Sequence, residues 1–331
     1  MQTTRRLAPT LHDVAGRVGV SPRTVSRVVN DQGGFSEATR ERVLAAVAEL
    51  GYRPNQMARG LITQQSNTLA FLVPVLSDPF FPEVAEGIHH AARDAGLTML
   101  FAMSGGDAAT QTTVLSELEA HSPVGVIVFP SGQDVSLLTP FLERGMRMVC
   151  VDTPIDHPNA SAVLSDLRAG TKLAVERMLR RGCRQLAMIS SSVTPPNQRR
   201  RQDAFVDSLP EGMEPLVEIV EPTGKGGRSA MAELLERNPA IDGVFAYNDV
   251  MAVGAMQTLH SLGKRIPDDV AVIGCDDIAT SAVVTPSLTT IRIDRELLGQ
   301  SAVQMLRDLD ADRLAQSSIV LPVELIVRDS G

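Results

Sequence analysis

Apolar residues recur in two rhythms along the chain of 331 residues, helical at its start and strand-helix alternation from about residue 67 onward. Near the start, Leu11, Val14, Ala15 and Val18 fall at i, i+3, i+4 and i+7, which makes them one buried stripe of a short helix. Thr10 reads as its N-cap. Asp13 lies in the first turn, where a carboxylate suits the helix dipole, and Gly19 ends the helix. Ser21 caps a second helix, and Pro22 at its first position leaves no donor unpaired. There Val25, Val28 and Val29 face inward, while Arg23, Ser26 and Arg27 face out, with Asn30 near the end. A third helix is predicted over 36–50, with Val43, Leu44, Val47 and Leu50 inward and Gly51 as its stop. Two short helices joined by a tight glycine-containing turn form a helix-turn-helix, whose second helix can enter a major groove. Arg23 and Arg27 are four residues apart, so both guanidinium groups lie on one side of that helix.

From residue 68 on, strands are predicted at 69–75, 98–102, 125–129, 148–151, 185–189, 216–220, 243–246 and 270–273. Helices lie between most of them, among others at 83–95, 168–181, 226–237 and 249–262. Repeated βαβ units specify parallel sheets covered on both faces, and this many strands suit two sheets better than one. The predicted fold is therefore a small all-α helix-turn-helix head and an α/β body of two doubly wound parallel-sheet lobes. Ligands of such lobes sit beyond the carboxyl ends of the strands, here between the two lobes. Asp78, Asn248 and Asp276 each follow an apolar run and so become candidates for that crevice. Asn248 and Asp276 also precede helical stretches, so helix capping is the alternative for both. Arg201 begins a helix after a Pro-Pro loop, with Arg199 and Arg200 beside it as the marks of a solvated face.

Charge sharpens the division. Residues 1–62 hold nine Arg, no Lys and five acids, which is 9 − 5 = +4; the rest holds 22 bases and 34 acids, which is −12. The net −8 of the whole chain thus hides a cationic head on an acidic body, and a head of that sign suits phosphate. The longest apolar run, near residues 69–76, is far too short to span a bilayer, and the basic start is followed by no apolar stretch. Cys150, Cys183 and Cys275 show no metal or disulfide spacing, which fits a cytoplasmic protein with reduced thiols. The six His are scattered, and PTGKGGRS (222–229) lacks the spacing of a phosphate-binding loop. Asp276-Asp277 lacks a third metal ligand at plausible spacing. No enzyme, cofactor or metal is expected.

The segments TLHDVAGRVGVSPRTVSRVVN (10–30) and GYRPNQMARGL (51–61) resemble the head and hinge of the lactose/galactose repressor (LacI/GalR) family. SDPFFPEVAEGI (77–88), FAYNDVMAVGAM (245–256), VIGCDDIATS (272–281), PSLTTI (286–291) and LPVELIVRDS (321–330) resemble its body, which is similar to periplasmic sugar-binding proteins. The resemblance implies a transcription regulator of a carbohydrate operon, a homodimer that grips double-stranded operator DNA and answers to a small-molecule effector. That effector class spans sugars, polyols, sugar acids and nucleosides. Release by an inducer and dependence on a corepressor both occur in the family. The competing class is a solute-binding protein without regulatory DNA binding.

By the same resemblance, Pro22, Arg23 and Arg27 read bases, while Thr10, Ser21, Thr24 and Asn30 mostly hold DNA backbone. Asn55, Met57, Ala58 and Leu61 belong to a hinge helix that packs in the minor groove, with Leu61 as a wedge between base pairs. Ordinary linker packing is the alternative for Leu61. A helix this short falls below the roughly 12–15 residues needed to stand alone, so it needs a surface to form on. In the body, Arg201, Asn248 and Asp276 bind ligand polar groups, Phe81 packs on the ligand and Asp78 lines the same crevice. The sequence departs from the family at Ala204, where Gly is usual, and at Leu167, where Asn is frequent. The implied organisation is a DNA-binding domain over 1–50 and a hinge over 51–66. The first lobe then takes 67–182 and 293–320, and the second takes 183–292 and 321–331. Three crossings between the lobes are expected near Gly182, Arg292 and Leu321. No heptad tail for tetramer assembly follows the last strand.

Overall fold

The computed structural model describes residues 9–52, 67–132, 135–192, 195–310 and 318–331. The chain divides into two compact units, residues 1–66 and 67–331.

In the first unit, α1 (Leu11–Val18), α2 (Pro22–Val29) and α3 (Glu37–Leu50) pack around Val14, Ala15, Val18, Val25, Val28, Val43 and Ala46. Each helix begins on a hydroxyl cap: Thr10, Ser21 and Ser36 accept from the backbone N–H of Asp13, Thr24 and Thr39. Asp13 returns the contact to the Thr10 N–H at 2.7 Å, which completes a capping box. Gly19 and Gly51 close α1 and α3 in the left-handed conformation, at φ 73° and 64°. Arg17 on α1 reaches Glu49 on α3 at 2.8 Å. One expectation fails: Leu44 is 42% exposed, and Ala46 takes the inward place on α3.

The second unit contains two six-stranded sheets. The first is built from β1 (Thr68–Val73), β2 (Thr98–Met103), β3 (Gly125–Val128), β4 (Met148–Val151), β5 (Ala160–Ser165) and β11 (Ser318–Leu321), in the order β11-β5-β4-β3-β1-β2. All of its pairs are parallel. The second contains β6 (Leu186–Ser191), β7 (Leu216–Val220), β8 (Gly243–Ala246), β9 (Ala271–Asp276), β10 (Thr289–Ile293) and β12 (Val323–Ile326), in the order β12-β10-β9-β8-β6-β7. Here β12 runs antiparallel to β10. The central strands are buried on both faces, as continuous apolar runs such as MVCV and GVFA require.

Strand order reverses between β1 and β3 in one sheet and between β6 and β8 in the other. Those are the topological switch points at which doubly wound sheets leave a crevice. The helices that cover the sheets include α4 (Phe80–Asp94), α7 (Leu167–Arg181), α8 (Pro195–Ser208), α9 (Gly224–Arg237), α10 (Asp249–Ser261) and α12 (Arg295–Asp310), besides the shorter α5 (Ala108–Ala120), α6 (Thr139–Glu143) and α11 (Ala279–Val283). The PTGKGGRS glycines have a packing role. A Cβ on Gly227 would strike the Met251 backbone and one on Gly254 the Gly224 backbone, so α9 and α10 approach backbone to backbone.

The first crossing between the lobes corrects the boundary expected near Gly182. Helix α7 packs on α8, β12 and β10, so the chain has already left the first sheet at Asp166. Asp166 marks that point: its N–H donates to Leu321 O at 2.9 Å and its carboxylate caps α7 through Ala169 N at 3.0 Å. The chain returns at Asp294, since α12 packs on α4 and on the first sheet, and crosses again at Pro322 between β11 and β12.

Candidate functional site

Each unit carries a candidate site. In the head, Arg23 is exposed on α2, with Pro22, Thr24 and Arg27 partly exposed around it. The Ser21 and Thr24 hydroxyls lie 2.9 Å apart at the start of this helix. Asn30 turns back at the other end, its Nδ2 donating to Ser26 O at 2.8 Å. The Arg27 guanidinium lies against Gly34 in the loop before α3, so a Cβ there would displace it. Gly33 and Gly34 both need a left-handed backbone, at φ 69° and 75°. The fold thus brings Ser21, Pro22, Arg23, Thr24 and Arg27 onto α2, whereas Thr10 caps α1. Asn55, Met57, Ala58 and Leu61 lie outside the described residues.

In the second unit, one cleft collects side chains from the carboxyl ends of strands in both sheets. Pro74, Asp78, Phe80 and Phe81 follow β1, Phe129 and Pro130 follow β3, and Asp152 and Thr153 follow β4. Opposite them stand Arg201 on α8, Tyr247 and Asn248 after β8, and Asp276 ending β9. The space between, open solvent at its mouth included, is about 530 Å³, of which only about 50 Å³ admits the centre of a water-sized sphere.

All five residues expected in the crevice line it. Asn248 does two jobs, one of them the helix cap expected as its alternative, whereas Asp276 caps no helix, since Ile278 stands at the N-cap of α11 without a side-chain cap. Its Oδ1 accepts from Met251 N at 2.9 Å as the cap of α10, and its Nδ2 donates to Asp78 Oδ2 at 2.8 Å across the lobes. Asp78 also accepts from Phe80 N at 3.0 Å. Arg201 is buried, 4% exposed, and so is not a solvated face. It donates to Tyr247 O, and its guanidinium carbon lies 4.0 Å from the centre of the Tyr247 ring. Its Nε is buried with no hydrogen-bond partner. Phe81 stacks edge to face on Phe129, centroids 5.1 Å apart, and on Phe80 at 5.6 Å, so an aromatic wall lines the first lobe's side.

The sequence reading missed Asp152, Phe129 and Tyr247. Asp152 ends the apolar run MVCV just as Asp78 and Asp276 end theirs, so the same signal was present. Asp152 accepts from Ser165 N at 2.6 Å and is 3% exposed.

The electrostatics follow from burial. Burial pushes the carboxyls of Asp78, Asp152 and Asp276 above the ordinary carboxylate range, Asp276 farthest, and Arg201 partly offsets it in each. Burial alone would lower the Arg201 pKa, but the surrounding negative groups outweigh it and hold the cation charged. Asp152, Asp276 and Asp277 have φ of 54°, 114° and 53°, values that non-glycine residues rarely adopt. The turn at Asp276-Asp277 is held in place by several arginines. Asp277 accepts from Arg292 at 2.7 Å and Arg328 at 2.6 Å. Arg295 donates to the carbonyls of both Asp276 and Asp277 while pairing with Glu83 at 2.7 Å.

Comparison with known proteins bears on both sites. Residues 10–55 match the family described as bacterial regulatory proteins, lacI family, and residues 175–331 match the periplasmic binding protein-like domain. The ribose operon repressor of Halalkalibacterium halodurans is 33% identical over 330 residues, covering 97% of this chain and 96% of the relative. The crystal structure of the Lac repressor dimer bound to operator and the anti-inducer ONPF aligns with a TM-score of 0.90 at 28% identity, over 98% of this chain and 99% of that one. The complex of the transcriptional regulator CelR with cellobiose aligns with a TM-score of 0.74 at 31% identity, over 98% and 100%. Among the described residues no helix is long and apolar enough to cross a membrane.

Proposed function

This chain belongs to the lacI family of bacterial regulatory proteins, and we propose that it is a ligand-responsive, sequence-specific repressor of a carbohydrate-utilisation operon, released by a sugar-like inducer. One observation carries the reading. A cleft lined by Asp, Asn, Arg and an aromatic wall stands in the same chain as a helix-turn-helix with an outward Arg face. An Asp, an Asn and an Arg together satisfy neighbouring hydroxyls without stranding buried charge. The relatives support the assignment, since they are named as a ribose operon repressor, an operator-bound repressor dimer and a cellobiose-bound regulator. No turnover is required of any of these residues, and the protein acts as a regulator rather than an enzyme, in the cytoplasm where its DNA lies.

Arg23, Arg27 and Pro22 read base edges, and Thr10, Ser21, Thr24 and Asn30 hold the backbone. Each bidentate Arg–guanine contact contributes roughly 1–3 kcal/mol of discrimination. Asn55, Met57, Ala58 and Leu61 form the hinge that packs in the minor groove. Two chains pair through their first lobes, where the edge strand β2 leaves Phe101 and Met103 38% and 49% exposed. The heads then meet half-sites spaced by about 10–10.5 bp or a multiple of it. Asp78, Phe81, Arg201, Asn248 and Asp276 hold the effector, which changes the angle between lobes and so the start points of two hinges. The effector acts only through its different affinity for the two arrangements, a coupling of ~1–3 kcal/mol. The DNA-binding domain spans 1–50 and the hinge 51–66. The first lobe takes 67–166 and 294–321, and the second takes 167–293 and 322–331.

The test is competition between DNA from upstream of the protein's own gene and a random duplex. The wild type prefers the former. Arg23→Ala and Arg27→Ala should erase the preference while weak, salt-sensitive binding to both duplexes persists. Unchanged preference in both variants overturns the assignment of α2 as the reading helix.

A further inference from the structure

The turn that carries Asp276 is held from the opposite lobe. Asp276 and Asp277 follow one another at the end of β9 with φ of 114° and 53°, and such backbone in non-glycine residues persists only where its surroundings fix it. The Asp277 carboxylate anchors the turn to its own lobe through Arg292 and Arg328. The carbonyls of both residues instead accept from Arg295, the first residue of α12 in the first lobe.

Every nitrogen of that guanidinium has a partner. Nη1 donates to Asp276 O, Nη2 donates to Asp277 O at 3.0 Å, and Nε meets Glu83 Oε2 at 2.7 Å. Three acceptors spread around a planar fork suit arginine, whereas an ammonium carries its donors on one atom. The base of the side chain is rigid as well. A Cβ on Gly87 would meet the Arg295 carbonyl at 2.9 Å, and one on Gly299 the Gly87 backbone at 2.6 Å, so α4 and α12 touch backbone to backbone here. Glu83 lies in the first turn of the same α4, whose opening residues Phe80 and Phe81 line the cleft. One helix thus carries the aromatic wall and the carboxylate that orients Arg295, while Arg295 reaches across to the turn of Asp276.

We propose that Arg295, oriented by Glu83, is a positioning residue that ties the Asp276–Asp277 turn of the second lobe to α4 of the first. It acts from behind the cleft, on the backbone of the turn rather than on anything bound in front of it. Moving the lobes apart has to break the Arg295 bonds or drag the turn along, and a turn fixed on both sides switches between discrete arrangements instead of bending by degrees. The consequence for DNA binding rests on the regulator reading above; the tie between the lobes does not.

The experiment uses the full chain and no added small molecule. The protein has two tyrosines, Tyr247 on the second lobe's side of the cleft and Tyr52 in the head. Fluorine NMR of the protein labelled with 3-fluorotyrosine therefore reads the cleft on one resonance and keeps a control on the other. Arg295→Met, Arg295→Lys and Glu83→Gln should each shift or split the Tyr247 signal and leave the Tyr52 signal in place. Glu83→Gln should add nothing in an Arg295→Met background, because Glu83 acts through Arg295. A merely structural Arg295 would lower thermal stability and leave the Tyr247 signal of the folded protein where it was. An unmoved Tyr247 signal in Glu83→Gln and Arg295→Lys overturns the proposal, as does an effect of Glu83→Gln that survives in the Arg295→Met background. Binding of the same variants to DNA from upstream of the protein's own gene tests the regulator reading separately, and their affinity should change about tenfold. A moved Tyr247 signal with unchanged DNA affinity keeps the tie between the lobes and overturns the reading that lobe angle sets the grip on DNA.

Discussion

Asn248 Nδ2 donates to Asp78 Oδ2 at 2.8 Å, a hydrogen bond that joins the end of β8 in one sheet to the segment after β1 in the other. The same Asn248 caps α10 through Met251 N, so the donor is held in place by the helix that it starts. A side chain that both caps a helix and spans the cleft makes lobe closure a property of two residues that can be changed one at a time.

Asp78→Ala removes the bridge and the hydrogen bond from Phe80 N, and Asn248→Ala removes the bridge and the cap; each should lower the body's stability by about 1–2 kcal/mol. The bridge is common to both, so the double variant should lose about 1 kcal/mol less than the sum of the single losses. Urea denaturation of the three variants gives the comparison. Losses that simply add would mean that the bridge is not made in solution.

Arg201→Ala should keep operator binding and lose the response to any effector that the wild type answers to. Arg201→Lys should behave almost as badly, because an ammonium cannot both face the Tyr247 ring and donate as a planar fork to a carbonyl and a ligand. The readout is operator affinity with and without effector. A full response from the lysine variant would show that charge alone suffices.

Gly33 and Gly34 supply a matched pair for the head. Both have left-handed backbones, so Ala at either is strained alike, but only a Cβ at Gly34 would meet the Arg27 guanidinium. Gly34→Ala should therefore change which bases are preferred, as Arg27→Ala does, while Gly33→Ala lowers stability and leaves base preference alone. Selection of bound sequences from a random pool distinguishes the two. Identical selected sites for both glycine variants would separate Gly34 from base reading.

Asp249 gives the body a pH signature. It is fully buried and accepts from Ile278 N at 3.0 Å, Ser281 Oγ at 2.7 Å and Thr290 Oγ1 at 2.5 Å. Burial raises its pKa to about 7; the three donors pull the other way, and Asp277 adds to the rise. A folded-state pKa above the unfolded value of 3.8 means that this stability contribution is complete below about pH 4 and is lost as pH rises toward 7. Asp249→Asn cannot titrate. Its stability relative to wild type should increase across that window, by up to about 4 kcal/mol. Denaturation at several pH values checks this, and parallel profiles would contradict it.

The parts of the fold that were legible in the sequence are those set by neighbours along the chain. Thr10, Ser21 and Pro22 announce their helices because caps act within one turn. Apolar runs announce the buried central strands. The crossing at Asp166 was hidden because the apolar face of α7 looks the same whichever sheet receives it. Strand β10 was hidden because TTIRI carries polar residues that are satisfied only by distant partners, Thr290 by Asp249 and Arg292 by Asp277. In the cleft, Asp78, Asn248 and Asp276 were found from their places at strand ends. Nothing local shows that Arg201 is buried on the Tyr247 ring, which depends on how α8 is laid against β6 and α7. Resemblance supplied that residue where periodicity left it open.

The central claim is that one small molecule sets the grip of this protein on one DNA sequence. Fluorescence anisotropy tests it most directly, with labelled DNA from upstream of the protein's own gene, a random duplex as control, and a panel of neutral sugars added in turn. The account predicts tight binding to the upstream DNA alone, weakened by one member of the panel in the wild type and by none in Arg201→Ala. Equal, salt-sensitive binding to both duplexes, indifferent to every sugar, would contradict it.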